Sequence, residues 1–298
     1  MSDVSVIGTG SMGSALVQGL QASGAHVSVW NRTREKADAL CGPRVRRAQT
    51  LDDALTSSPL TIMSVSDHEV ARGLIDGAGR YLGGRVVAST SFVTPVQARE
   101  LAAVVTRAGG VHLDLEIAAG PRQVRAGAGV FLVSGERTAF EAHRDLLERI
   151  GRVTYVSDAA ASAYLSGMAV QLAFLPMAVG LLQGARIATS QTLPPDAFRK
   201  AVLDLYPFHI EQLFDRITAT PSHSDADVEA SVDLMAAGAA EYAAALRDMG
   251  LDPGMYDALH RLFSAASKAG NGEDDWTCIA SHVATRSAGP DDDADVAR

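Results

Sequence analysis

The chain of 298 residues carries 26 Lys and Arg against 35 Asp and Glu, which gives a formal net charge of −9. This negative balance opposes binding along a phosphate backbone, so we expect no nucleic acid partner. The two cysteines, Cys41 and Cys278, lie far apart and without metal-ligand spacing. They predict neither a disulfide framework nor a metal site, and they are typical of a reduced, cytoplasmic protein.

A glycine-rich turn follows the first apolar run of the chain, at residues 4–7. The spacing of Gly8, Gly10 and Gly13 is the G-x-G-x-x-G pattern that joins a strand to a helix. The first glycine permits a tight turn, the second lets the backbone approach a pyrophosphate, and the third lets the helix pack on the strand. We therefore expect a dinucleotide at this turn. The expected contacts are the residues of the turn: Gly8, Thr9, Gly10, Ser11, Met12 and Gly13.

The second predicted strand, at residues 26–30, ends in a basic segment at residues 31–36. NAD-dependent enzymes usually present a carboxylate there to the ribose 2′-hydroxyl, and this segment instead has Arg32, Thr33 and Lys36. A guanidinium can stack on adenine and donate hydrogen bonds to a 2′-phosphate. The pattern favours NADPH over NADH, and the alternative is a solvated basic turn without a ligand. The expected contacts here are Asn31, Arg32, Thr33 and Lys36.

Strands and helices alternate through the N-terminal half. Strands are predicted near residues 4–7, 26–30, 60–65, 85–88, 111–114, 130–134 and 153–156. Helices are predicted near residues 12–22, 34–41, 51–57, 68–76, 95–108 and 138–149. This alternation predicts an α/β Rossmann domain over residues 1–157, built on a doubly wound parallel sheet.

The third predicted strand ends in Ser64, Val65 and Ser66. Open α/β sheets hold their ligands at the carboxyl ends of the strands. We therefore expect these three residues to border the dinucleotide, and the alternative is a plain strand end.

A long interdomain helix is predicted at residues 158–188, with Asp158 as its N-cap. Its second half is apolar on nearly every face, and such a helix must be buried all round. A few further helices of one chain cannot bury it, so we expect a domain-swapped homodimer. The longest apolar stretch, residues 168–182, is predicted to be too short and too interrupted to span a membrane, and we expect no membrane partner.

The C-terminal part is predicted to be all-α, with helices near residues 195–217, 226–249, 253–268 and 273–283. They define an expected dimerisation and substrate domain over residues 189–284. The acidic, polar segment at residues 285–298 is predicted to be a disordered tail.

Six segments carry a family resemblance. They are GTGSMG at 8–13, NRT with a lysine three residues later at 31–36, TPVQAREL at 94–101, LDLEIAAGP at 113–121, SGERTAFEAHRDLL at 134–147 and AGNGEDDW at 269–276. In this order they resemble the imine reductases, which are relatives of the 3-hydroxyisobutyrate dehydrogenases. The resemblance implies an NADPH-dependent reductase of a cyclic imine or iminium carbon, with or without reductive amination. It also implies a dimer whose active sites lie between one Rossmann domain and the helices of the other subunit.

Two other functions stay open at this point. The related hydroxyacid dehydrogenases carry a catalytic lysine early in the long helix, and the lysines here are Lys36, Lys200 and Lys268. Alcohol oxidation would therefore lack the group that moves the hydroxyl proton. The other alternative is a non-catalytic NADPH-binding protein, because Leu165 stands where the resemblance implies Asp or Tyr.

Four residues are candidates for the chemistry. Glu116 follows a strand that reaches the ligand edge, and it either offsets the charge of an iminium ion or is solvated. Tyr164 either supplies a phenolic proton or donates to a backbone carbonyl. Tyr206 lies near a pocket position implied by the resemblance and is either part of the pocket wall or a proton donor. His209 is either a proton donor, because histidine side chains can change their charge near neutral pH, or a structural residue.

The resemblance also implies positions that contact substrate or cofactor. The implied substrate pocket residues are Leu165, Met168, Ala173 and Met235. Ser89 stands on the fourth strand where the family often has Asn, and we expect it at the cofactor.

Overall fold

The computed structural model describes residues 2–90, 94–191, 193–218 and 228–284. The predicted tail at residues 285–298 lies outside the described residues. The chain divides into two compact units, Met1–Gly184 and Ala185–Arg298. The domain boundaries predicted from the sequence stay predictions.

Among the described residues, the first unit forms a sheet of eight strands. They are β1 (Val4–Ile7), β2 (Val27–Trp30), β3 (Val45–Arg47), β4 (Leu60–Met63), β5 (Val86–Ser89), β6 (Val111–Ile117), β7 (Gly129–Gly135) and β8 (Gly151–Ser157). Their order is β3-β2-β1-β4-β5-β6-β7-β8. The winding reverses between β1 and β4, as in a Rossmann sheet. This confirms the predicted fold class.

Helices cover both faces of the sheet. They are α1 (Ser11–Ala22), α2 (Arg34–Asp38), α3 (Leu51–Thr56), α4 (His68–Ala78), α5 (Pro95–Arg107), α6 (Pro121–Arg125), α7 (Arg137–Glu148) and α8 (Ser162–Ser190). Val6 of β1 belongs to one buried apolar cluster with Leu16 of α1, whereas Ile7 belongs to a second with Leu55 of α3 and Leu101 of α5. Successive residues of a strand point to opposite faces, so the apolar run that the sequence showed supplies both layers of the core.

The sheet differs from the prediction at two strands. β6 and β7 run antiparallel, with Leu113 opposite Gly135. Only the short helix α6 lies between them, and a parallel crossover needs a dozen or more connecting residues. β3 was not predicted, because its sequence Val-Arg-Arg has no apolar pattern.

The long helix α8 begins at Ser162, four residues after the predicted N-cap. Asp158 does not cap it, because its carboxylate accepts a hydrogen bond from the Tyr155 hydroxyl. The turn before the helix instead holds Ala161 at φ 74°, with its N–H donated to Asp114 Oδ2 at 2.5 Å. The buried carboxylate of β6 thus fixes the start of α8.

Much of the apolar surface of α8 is exposed in the single chain. The large exposed residues on this helix are Leu165, Met168, Val170, Leu172, Phe174, Leu175, Val179 and Leu182. The helix has 29 residues, and its most apolar 18-residue window has a mean hydropathy of 1.8 with 6% of that window buried. By length and composition alone it could cross a membrane, so the prediction that this stretch is too short was wrong. The core helix of a soluble protein passes the same test.

The second unit is helical, as predicted. Its helices are α9 (Pro195–Thr218), α10 (Val232–Asp248), α11 (Gly254–Ala266) and α12 (Ile279–Ala284). Val232, Phe263 and Ala266 form a buried cluster between α10 and α11. The second C-terminal helix was predicted from residue 226, and the structure starts it at Val232 because the hydroxyl of Ser231 caps it.

Candidate active site

A cavity of about 1110 Å³ opens along the carboxyl ends of β1, β2, β4 and β6, and we call it the main cavity. Ligands of open α/β sheets bind at this edge. It is lined by all of the residues predicted to contact the cofactor except Ser89: Gly8, Thr9, Gly10, Ser11, Met12, Gly13, Asn31, Arg32, Thr33, Lys36, Ser64, Val65 and Ser66. Ser89 lies behind the cavity wall, and its neighbour Thr90 lines the cavity instead.

The glycine turn has the geometry that a pyrophosphate requires. A Cβ atom at Gly8 would lie 2.1 Å from the Ser64 carbonyl oxygen, and one at Gly13 would lie 2.1 Å from the Gly8 carbonyl oxygen. A Cβ at Gly10 would meet no protein atom within 4 Å. Gly10 is also the N-cap of α1, with no side-chain cap and no acidic residue in the first turn. Its open side and the free N–H groups of α1 therefore suit a bound anion.

The basic segment after β2 lines one end of the main cavity. Asn31 holds it to the glycine turn, because its Oδ1 accepts from the Thr9 N–H at 3.2 Å and its Nδ2 donates to the Thr33 carbonyl at 2.9 Å. Arg32 and Lys36 line the cavity and form no ion pair with another described residue. Their charges therefore remain available to a 2′-phosphate.

Glu116 lies at the opposite end of the main cavity. In a doubly wound sheet the second mononucleotide half lies over β4 to β6, so the end of β6 faces the nicotinamide position. Burial raises the pKa of Glu116 to about 6. No hydrogen bond or ion pair joins its carboxylate to another residue that the structure describes. A half-buried carboxylate without a partner is costly in the absence of a ligand and favours a cation beside it.

The Glu116 side chain packs directly on α8. A Cβ atom at Gly167 would lie 2.4 Å from Glu116 Cγ and 2.8 Å from its Oε1. A side chain at position 167 would therefore push the Glu116 carboxylate out of this place.

Behind Glu116, buried polar side chains connect β5, β6 and α8. The Tyr164 hydroxyl donates to the Ser89 carbonyl at 2.7 Å and lies 2.9 Å from Ser89 Oγ, which lies 2.9 Å from His112 Nε2. His112 Nδ1 faces Asp114 Oδ1 at 3.6 Å. Burial lowers the pKa of His112 to about 4 and raises the pKa of Asp114 above its ordinary value. Burial thus disfavours the charged forms of these groups, and their hydrogen bonds anchor the first turn of α8.

The directions of the hydrogen bonds in this network follow from the Tyr164 hydroxyl. The single hydroxyl proton of Tyr164 is used on the Ser89 carbonyl, so Ser89 Oγ donates to Tyr164 and accepts from His112 Nε2. Burial also raises the pKa of Tyr164 above its ordinary value. The Tyr164 hydroxyl thus donates to a backbone carbonyl, which was the structural alternative to its role as a proton donor.

A second cavity of about 400 Å³, the side cavity, lies beside the main one. It is lined by Thr94, Pro95, Gln97, Glu116, Tyr164, Met168 and Gln171. Thr94 and Gln97 form a capping box at the start of α5. Glu116 and Gln171 line both cavities and stand between them.

The other predicted residues are distributed over both units. Met168 lines the side cavity, whereas Leu165 and Ala173 are exposed on α8 and line neither cavity. Tyr206 and His209 lie on α9 of the second unit, where the His209 ring is 5.6 Å from the ring of Phe208. Met235 packs on the apolar cluster between α10 and α11. The roles predicted for these residues stay predictions.

Sequence reasoning missed His112, Asp114 and Gln171. His112, Asp114 and Glu116 alternate on β6 and therefore share one face of the strand. A polar face on an otherwise buried strand was the available signal. In the sequence, Gln171 interrupts the apolar stretch at residues 168–182.

The sequence matches two family models. Residues 3–158 match the NAD binding domain of 6-phosphogluconate dehydrogenase, and residues 158–285 match the C-terminal domain described as NADPH-dependent reductive aminase-like. The chain is 28% identical over 188 residues to the NADPH-dependent reductive aminase of Aspergillus oryzae, covering 63% of this chain and 64% of that protein. It is 27% identical over 190 residues to the cytokine-like nuclear factor N-PAC of Danio rerio, covering 62% of this chain and 39% of that protein. These alignments thus span less than two thirds of either relative.

The fold is similar to that of a solved enzyme over nearly its full length. The imine reductase from Myxococcus stipitatus in complex with NADP+ superposes with a TM-score of 0.84 at 27% identity, covering 94% of this chain and 99% of that one. The chain belongs to the imine reductase family, with a 6-phosphogluconate dehydrogenase-type NAD binding domain followed by a reductive aminase-like C-terminal domain.

Proposed function

We propose that this protein is an NADPH-dependent reductase that transfers a hydride to the carbon of an imine or iminium ion and releases an amine. The observation that carries the proposal is one cavity that joins the glycine turn and Arg32 to the carboxylate of Glu116, which has no ion-pair partner among the described residues. Membership of the imine reductase family supports the same reaction. The similar Myxococcus stipitatus enzyme, solved with NADP+, supports the choice of cofactor.

The chain's own residues select and hold the cofactor. The open face of Gly10 and the N-terminus of α1 receive the pyrophosphate, and Arg32 and Lys36 receive the 2′-phosphate. When bound, NADPH supplies the hydride. Ser64, Ser66 and Thr90 line the wall between the turn and Glu116, where the nicotinamide half belongs.

Glu116 is the charged group closest to the reaction in this proposal. Its ionised carboxylate offsets the positive charge of an iminium nitrogen, and this interaction is strong in a site that excludes water. Below pH 6 the same group is protonated and can donate to a neutral imine nitrogen. Tyr164 ranks second as a proton donor, because its hydroxyl is directed to Ser89.

Hydroxyacid oxidation is not favoured. That reaction needs a group that removes the hydroxyl proton, and residues 151–190 contain no lysine. Burial raises the pKa of Tyr164, so its hydroxyl keeps its proton and cannot act as the base.

We further propose a homodimer in the cytoplasm, with the interdomain helix at 158–188 and the helical domain at 189–284 supplying the subunit contact. The exposed apolar surface of α8 supports this arrangement, since the described part of the chain leaves it largely uncovered. Tyr206, His209 and Met235 are proposed to reach a substrate from the helical domain.

The assay that tests the function measures NADPH oxidation with a small cyclic imine such as 1-pyrroline. A ketone with and without an added amine is run in parallel, and a short hydroxyacid is run with NADP+. Imine-dependent oxidation is expected, and oxidation with ketone plus amine would add reductive amination. Hydroxyacid oxidation alone would replace the proposal with a dehydrogenase, and NADPH binding without turnover of any substrate would favour a binding protein.

A further inference from the structure

Glu116 stands between two cavities of unequal size. The main cavity, of about 1110 Å³, holds the predicted cofactor contacts, and the side cavity has about 400 Å³. Glu116 is the charged residue of the side cavity, whose other lining residues are neutral. A cation that contacts this carboxylate can therefore extend one substituent into each cavity.

The environment of Glu116 offers it no partner within the described residues of the first unit. From α8 it faces Tyr164, Gly167 and Met168, and from the start of α5 it faces neutral side chains. The nearby titratable groups are Tyr164, whose pKa is raised by burial, and Asp114 on the same strand. Neither supplies a positive charge.

The helix opposite Glu116 provides no free acid. Leu165 lines neither cavity, Gly167 has no side chain, and the Tyr164 proton is used on the Ser89 carbonyl. Among the described residues of the first unit, Glu116 is the group best placed to give a proton to a neutral imine, and it is largely ionised at pH 7. An iminium ion whose nitrogen is bonded only to carbon is already a cation, so its reduction needs no proton.

We propose that the preferred substrates are N-alkyl iminium ions, held with the nitrogen against the Glu116 carboxylate and the N-alkyl group in the side cavity. This inference rests on the proposed reductase function. The iminium carbon accepts a hydride from the bound reduced nicotinamide, and the π pair of the C=N bond becomes the nitrogen lone pair. The iminium ion is reduced to a tertiary amine, the dinucleotide leaves oxidised, and the step consumes no proton.

Binding of a cation that cannot react tests the site without turnover. The probe is N,N-dimethylpyrrolidinium, and its uncharged counterpart is 2,2-dimethyltetrahydrofuran, each titrated calorimetrically into the NADP+ complex at pH 8 and pH 5. The wild type is expected to bind the cation up to about tenfold more tightly at pH 8, because Glu116, with a pKa of about 6, is ionised at pH 8 and largely protonated at pH 5. Glu116→Gln should bind it weakly at both pH values. Glu69→Gln, which removes an exposed carboxylate from the main cavity, should keep the wild-type pH dependence.

Equal binding of the cation and the ether, or unchanged cation binding by Glu116→Gln, would overturn the proposal. The side cavity is tested by Met168→Trp, which fills part of this cavity. The variant should weaken binding of N-isopropyl-N-methylpyrrolidinium more than binding of N,N-dimethylpyrrolidinium, because the isopropyl group needs more space. An equal loss for both ions would remove the side cavity from the proposal.

Turnover separates this proposal from the reductase function. The wild type should reduce N-methyl-1-pyrrolinium with a kcat/KM that rises through pH 6 to a plateau, and Glu116→Gln should give a lower, flat profile. Reduction of 1-pyrroline with neither binding nor reduction of the N-methyl ion would leave the reductase standing and refute the substrate class. Glu116-dependent cation binding without reduction of either compound would support the cation site and refute the reductase.

Discussion

Glu116 of β6 and Gly167 of α8 share one small space. A Cβ atom on Gly167 would lie 2.4 Å from Glu116 Cγ, which is closer than carbon atoms pack. The glycine in this helix is therefore explained by the carboxylate opposite it. This relationship couples the stability of α8 to the position of the charged group between the two cavities.

The first prediction is a non-additive effect of Gly167→Ala. Alanine is favoured over glycine inside a helix by about 1 kcal/mol, whereas overpacking costs about 1–3 kcal/mol. We expect Gly167→Ala to raise the free energy of unfolding by about 1 kcal/mol in a Glu116→Ala background and by less in the wild type, where the Glu116 side chain must move aside. Chemical denaturation of the four proteins measures the coupling. Gly238→Ala in α10, where a Cβ meets nothing within 4 Å, should behave the same in both backgrounds.

Two glycines of the turn should separate folding from cofactor binding. Gly10→Ala should leave the unfolding free energy within about 0.5 kcal/mol of the wild type, since its Cβ meets no protein atom. It should still weaken NADPH binding about tenfold or more, because the methyl group faces the pyrophosphate. Gly13→Ala should fail to fold stably, because its Cβ would lie 2.1 Å from a carbonyl oxygen. Equal stability of the two variants would contradict this geometry.

The third prediction concerns the selection of NADPH over NADH. Arg32→Glu should raise the KM for NADPH by about 10- to 100-fold, the range expected from losing charge-assisted hydrogen bonds, and should change the KM for NADH little. Arg34→Glu is the matched control, since Arg34 lies outside the main cavity and pairs with Asp38 at 3.5 Å. If both cofactors respond equally to Arg32→Glu, Arg32 does not read the 2′-phosphate.

The cofactor end of the site was predictable because its signals are local. The glycine turn and residues 31–36 are contiguous stretches whose chemistry follows from their place in one βαβ unit. The network of Ser89, His112 and Tyr164 was not predictable in the same way. These residues meet only through the pairing of β5 with β6 and the packing of α8, and no spacing in the sequence marks such contacts.

Glu116 was predictable in part, because one of its features is local in the sequence and the others depend on tertiary packing. Its place at the end of a strand identified it as a candidate. Its fit against Gly167 and its position between two cavities depend on how α8 lies across the sheet edge. The antiparallel β7 escaped prediction for a related reason, because strand direction depends on the length of a connection whose helix α6 has only five residues.

Tyr164→Phe distinguishes an anchor from a proton donor. If the hydroxyl serves the buried network, its loss should lower the free energy of unfolding by about 1–2 kcal/mol, because the buried hydroxyl and carbonyl groups of Ser89 lose a partner. We expect kcat for a cyclic imine to change less than threefold. A fall in kcat of about 100-fold at unchanged stability is the signature of general acid catalysis and would show that Tyr164 is the proton donor.

The exposed face of α8 makes a prediction about assembly. Leu172 is 68% exposed and Leu182 is 71% exposed in the single chain. If a second subunit covers them, Leu172→Glu/Leu182→Glu should weaken the dimer at least 100-fold, since each buried charge costs several kcal/mol. Light scattering after size exclusion in detergent-free buffer should show a wild-type dimer and a monomeric variant. Ala103→Glu/Thr106→Glu, at two exposed positions of α5, adds the same charge and should stay dimeric. A wild type that is monomeric without detergent would refute the subunit contact, and one that requires detergent to stay in solution would instead favour a membrane as the cover of α8.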